Sequence, residues 1–71
     1  MDRAMELAHL AEAERHIAEG KRRLERQEEI VAELKRLGHD AETALCLLAL
    51  FRQVQADYVS HRDRIQKALE E

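Results

Sequence analysis

The stretch Leu34-Lys35-Arg36-Leu37-Gly38-His39-Asp40-Ala41-Glu42-Thr43 decides the fold, because it holds a helix stop and a helix start with one residue, His39, between them. Gly38 stands where a helix ends in a left-handed residue, a backbone state that costs glycine little. Asp40 stands where the next helix begins, its carboxylate free to accept from the N–H groups two and three residues further on. Long segments with helical apolar spacing flank this turn, so one segment folds back on the other.

Upstream, the pattern predicts a helix from about Arg3 to Leu37, with Asp2 as N-cap and a length of roughly 50 Å at 1.5 Å per residue. Its seam reads Leu10, Ala13, Ile17, Gly20, Leu24, Gln27, Val31 and Leu34, in alternating steps of three and four, flanked by Leu7, Ile30 and Leu37. Charged residues fill the opposite face, where Glu19 and Arg23 form an i,i+4 pair in the favourable orientation. Downstream, a second helix is expected from Ala41 to about Leu69, with seam residues Ala44, Leu47, Phe51, Val54, Tyr58, His61, Ile65 and Ala68. Closing the turn at His39 sets Leu34 by Ala44, Gln27 by Phe51, Gly20 by Tyr58, Ile17 by His61 and Ala13 by Ile65. A mid-helix glycine costs about 1 kcal/mol against alanine. Gly20 therefore points to a close helix contact, with Tyr58 as the bulky residue it admits.

The chain has 71 residues, no proline, two glycines, 38% charged and 45% hydrophobic residues, and one Phe and one Tyr as its aromatic residues. That is the composition of long amphipathic helices in a single domain, without the turn clusters or β-branched runs of a sheet. A chain this short rarely draws more than about 3–5 kcal/mol from its own core. The formal charge of -3 argues against a general nucleic-acid binder. Glu6, His9, Glu12 and Glu14 interrupt the first apolar residues, so no secretion signal is expected, and the run from Ala44 to Phe51 is far below a membrane span. A soluble cytoplasmic protein is the expectation. Cys46 is the sole cysteine, which leaves no intramolecular disulfide, and it reads as a small apolar side chain.

The second helix carries more leucine than one partner can cover. Leu45, Leu47, Leu48, Leu50 and Phe51 make its first three turns apolar almost all round, and such a helix is normally buried on most sides. The economical solution is an antiparallel four-helix homodimer, with those five residues at the oligomer interface. Gln27 in the seam would set register and copy number by finding its twin across the symmetry axis.

The run His16-Ile17-Ala18-Glu19-Gly20, then Gln27, Val31-Ala32-Glu33-Leu34, Gly38-His39-Asp40, Ala44, Leu47-Leu48 and Phe51, ending His61-Arg62-Asp63-Arg64-Ile65, resembles a group of short uncharacterised helical-hairpin proteins of proteobacteria. The likeness spans about residues 9 to 65. It implies a bacterial intracellular setting and a helical hairpin, and it implies no reaction or cofactor.

Three clusters invite chemistry. His16 and His61 come level in the expected pairing, each with a carboxylate at i−4, Glu12 and Asp57; two imidazoles with carboxylates suit zinc or a similar ion. In the same register those carboxylates diverge along the axis, and the plainer reading is a pair of seam-flanking histidines bonded to carboxylates or to Tyr58. Glu6-Leu7-Ala8-His9 has the Glu-x-x-His spacing of di-iron bundles, but the only inward-facing carboxylates opposite it are Glu70 and Glu71 at a frayed end. The basic run Lys21-Arg22-Arg23-Leu24-Glu25-Arg26 is surrounded by glutamates and lacks aromatic residues for stacking on bases, so it reads as a solvated face. Ser60 and His61 are adjacent on a helix and point about 100° apart, Cys46 has no histidine beside it, and no glycine-rich phosphate loop is present.

The expectation is therefore an all-α, two-helix antiparallel hairpin that self-associates into a four-helix bundle. It would act as a non-enzymatic structural or protein-interaction module, without cofactor, nucleic acid or membrane. The rivals are a metal-binding bundle using His16 and His61, and an adaptor whose apolar face takes a partner protein's helix.

Overall fold

A computed structural model describes residues 2–71. Helix α1 runs Arg3–Arg36 and helix α2 Glu42–Glu70, and they pack as an antiparallel hairpin, a rod of 54 × 14 × 13 Å. The chain is all-α: no strand occurs among the described residues. Asp2 caps α1, its Oδ1 accepting from the Ala4 and Met5 backbone N–H groups at 3.0 and 3.4 Å. At the other end Gly38 takes φ +74°, donates to the Lys35 carbonyl at 3.1 Å, and lets His39 donate to the Leu34 carbonyl at 2.9 Å. These two bonds satisfy carbonyls that the end of a helix leaves bare. In the last turn Arg36 grips both carboxylate oxygens of Glu33 and holds that carboxyl below the usual carboxylate range. The helix dipole favours a cation there.

The second helix starts one residue later than the spacing suggests. Ala41 occupies the capping position without a side-chain bond, and Asp40, just outside, accepts only from the Glu42 N–H at 2.9 Å. The aspartate shapes the turn from one residue further out. Ala41 is buried, so the turn itself contributes an apolar residue to the hairpin.

The register differs from the expected one by about one helical turn. Gln27 donates its amide to the Ala44 carbonyl at 2.9 Å, where Phe51 was expected. Gln55 lies over Gly20 and donates to the Ile17 carbonyl at 2.9 Å, so the bulky group admitted by Gly20 is Gln55 and not Tyr58. Tyr58 meets His16 instead, with ring centroids 5.3 Å apart. His16 meets Tyr58 and Arg23 meets Phe51, so each pair lies about four residues nearer the hinge on α2 than a closure centred at His39 gives.

The phase of α2 also differs. Both readings turn the stripe Ala44, Phe51, Tyr58, Ile65 inward. The second inward stripe, however, is Leu48, Gln55, Arg62, Leu69, while Leu47 and His61 stand exposed. Leu48 is 4% exposed and therefore belongs to the hairpin's own core, with Ala13, Val31, Ala41 and Ile65. That core is thin, and among the described residues no large side chain is completely enclosed. Between the helices, the two glutamine-to-carbonyl bonds run in opposite directions, one from each helix. Each ties a side chain of one helix to the backbone of the other.

Candidate functional site

Two stripes share one flank of the hairpin. On α1 the seven-residue spacing His9, His16, Arg23, Ile30, Leu37 keeps these residues in line. On α2 the stripe Leu47, Val54, His61, Ala68 has the same spacing, with Leu50 beside it. Two contacts place the stripes together. Arg23 holds its guanidinium 5.9 Å over the Phe51 ring, and His9, Glu12, Ala13, His16 and His61 line one open cleft of about 170 Å³. Arg23 is thus engaged across the hairpin, and Glu19 lies 3.9 Å from Arg15 rather than pairing with Arg23.

The flank changes character along its length. Its hinge half is apolar: Leu37, Leu47 and Leu50 are 50%, 39% and 56% exposed, beside half-buried Ile30 and Val54. Its open half carries imidazoles. His9 Nδ1 sits 3.7 Å from Glu6 and His16 Nε2 3.8 Å from Glu12, distances at which a carboxylate attracts a protonated ring without a close hydrogen bond. Asp57, expected beside His61, accepts from Gln53 at 3.2 Å. Among the described residues no three His, Cys, Asp or Glu side chains gather at metal-binding reach within one chain.

The five residues expected at an oligomer interface are distributed over three places. Leu47 and Leu50 lie on the histidine flank, and Phe51 is half-buried beneath Arg23. Leu48 is inside the hairpin. Leu45 faces the opposite flank, where it lines an open groove with Val31, Ala32, Lys35 and Arg52. Gln27, expected to meet its twin, is 5% exposed and bonded within its own hairpin. Cys46 is exposed.

His9 is the member of the cleft that the spacing reading assigned to Glu6 alone. Its signal was present: His9 and His16 are seven residues apart, two turns on one stripe. Gln55 carried a weaker signal, a polar residue between Leu48 and Arg62 at heptad spacing. Its Oε1 is buried without a hydrogen-bond partner.

No helix among the described residues is long and apolar enough to cross a membrane. Comparison with family models, with curated proteins and with solved structures found no match.

Proposed function

We propose that this chain is a small structural or protein-interaction module without catalytic activity that works as a pair, two copies joining their histidine flanks into a four-helix bundle. The observation that supports the reading is surface area. A compact monomer of 8.3 kDa exposes about 4,600 Å² by the usual mass scaling. This hairpin exposes 5388 Å². The excess, roughly 800 Å², is about what each partner contributes to a standard protein interface. Leu37, Leu47 and Leu50 put exposed apolar area on one flank, and a second copy offers the same flank in return. A helix with three adjacent inward stripes, as α2 has once Leu47 and Val54 are covered, fits a four-helix bundle better than a two-helix contact. A bacterial cytoplasmic setting belongs to the same reading and rests on the sequence resemblance.

The test is sedimentation equilibrium over a wide concentration range at neutral pH, on the original chain and on Leu50→Asp. The expected result is a mass of two chains for the original and of one chain for the variant, with helix content retained because Leu50 lies outside the hairpin core. A single-chain mass for the original protein at all concentrations would overturn the reading. The apolar flank would then be left for a different protein's helix.

A further inference from the structure

We propose that the paired hairpins lie hinge to hinge and hold a divalent transition-metal ion between them, with His16 and His61 of both copies as its four ligands. The inference rests on the self-association reading and adds an orientation and a ligand to it. Orientation follows from how the flank is divided. Its apolar half, Ile30, Leu37, Leu47, Leu50 and Val54, lies toward the turn, and its imidazoles lie toward the open end. A two-fold axis along the rod brings leucines onto leucines and histidines onto histidines, and makes every neighbouring pair of helices antiparallel. Crossing the copies hinge to open end would press imidazoles and Glu12 onto Leu37 and Leu47. Polar groups buried there would lose water without finding partners.

The ligand follows from the donors. His9 stands two turns from His16, about 10 Å along the helix axis, too far to share one ion with it. His61 reaches the same cleft from α2. The described residues of one chain thus supply imidazoles around an open space but no convergent set of three. Two copies facing each other double the donors around the shared space, and imidazole nitrogens at neutral pH suit zinc, copper or nickel rather than calcium or magnesium. The set is incomplete without the partner. Glu12 stands at the edge of the same cleft, 3.8 Å from His16, where it would orient that ring as carboxylates do beside metal-bound histidines.

The experiment is zinc chloride titration of chelator-treated protein at neutral pH, read by sedimentation equilibrium, by metal content after dialysis and by thermal unfolding. The expected result is zinc retained only by the two-chain species, a dimer dissociation constant lowered at least tenfold, and a raised unfolding midpoint. His61→Ala and His16→Ala should each abolish the zinc effect, read as the ratio of each variant's own dimer dissociation constants with and without zinc. Both side chains lie outside the buried core, so folding should survive. A dimer that is indifferent to zinc would overturn this proposal and leave the self-association reading standing. Zinc bound by single chains, or a zinc effect that persists in His61→Ala, would overturn it as well. A chain that stays single with and without zinc would sink both readings.

Discussion

The hinge half and the open half of the hairpin are closed by different means. Near the turn, the helices are joined covalently, the chain reverses through a glycine-terminated cap, and Leu48, Val31 and Ala41 fill the space between. Gln27 then ties α1 to the Ala44 backbone. At the open end no covalent link opposes separation. There the helices are held by Ala13 and Ile65, by the Gln55 bond to Ile17 over Gly20, by the His16–Tyr58 ring contact, and by Arg3 reaching the Leu69 carbonyl at 3.3 Å. Proximity near the turn makes each apolar contact cheap to form, whereas at the far end the same contact must also oppose the loss of chain freedom. Local unfolding should begin at the open end.

The largest effect expected from breaking this contrast is that of Leu48→Ala. Removing a large side chain that is almost fully buried costs about 2–5 kcal/mol, comparable with everything so small a core supplies. The variant should be largely unfolded at 25 °C by circular dichroism. Ile65→Ala removes a similar side chain from the open half. It should cost less, because α1 and α2 can fray there while the turn stays closed. Amide exchange is the measurement: Leu48→Ala should lose protection along both helices, and Ile65→Ala only beyond Gly20 on α1 and Gln55 on α2. Equal loss everywhere in both variants would show that the hairpin opens as one unit.

Next in size comes Gln27→Ala, for which we expect about 1–2 kcal/mol, from a lost hydrogen bond and a partly unfilled space. The effect should be confined to the hinge half, since the Ala44 carbonyl lies in the first turn of α2. Urea titration gives the magnitude and amide exchange its location. Gly38→Ala should cost about 1–2 kcal/mol through the left-handed backbone alone, because a methyl group there meets nothing within 4 Å. Gly38→Asn should cost less, as asparagine tolerates that conformation. If both substitutions were equally harmful, the turn would depend on something other than its backbone angle.

The hairpin was legible because its punctuation is local. A glycine after the last periodic residue and an aspartate before the next helix act over a few bonds, and they gave both helices to within one residue at each end. Phase and register were harder, for reasons that particular residues show. Leu47 and Leu48 are equally apolar, so the first turns of α2 do not choose which faces α1. Further along, Val54 and His61 look better suited to a seam than Gln55 and Arg62. In the fold the longer pair points inward nonetheless, since Gln55 reaches a backbone carbonyl and so remains partly satisfied when buried. Register was tied to phase: with Gln55 rather than Tyr58 over Gly20, the pairs along α2 fall about one turn nearer the hinge. His9 was read with Glu6 as a Glu-x-x-His pair and not with His16, although the seven-residue spacing puts both imidazoles on one stripe.

Gly20→Ala tests the open half where its packing is least ordinary, and it should change stability least. A Cβ added at Gly20 would lie 1.8 Å from Gln55 Oε1, which is impossible unless that amide moves. Two consequences oppose each other. Alanine raises helix propensity by about 1 kcal/mol, while displacing the amide gives up its bond to the Ile17 carbonyl, about 0.5–1.5 kcal/mol. Displacement also releases Oε1, which has no partner where it is, into water. Only the far end of a flexible side chain stands in the way, so the net change should stay within about 1 kcal/mol. In a Gln55→Ala background the obstruction is gone, and Gly20→Ala should then stabilise by nearly the whole propensity difference. Denaturant unfolding of the four proteins in this cycle separates the cases. If Gly20→Ala destabilised both backgrounds by more than about 2 kcal/mol, backbone would be meeting backbone at Gly20. The open half would then be held by a close helix crossing, with the glutamine merely resting above it.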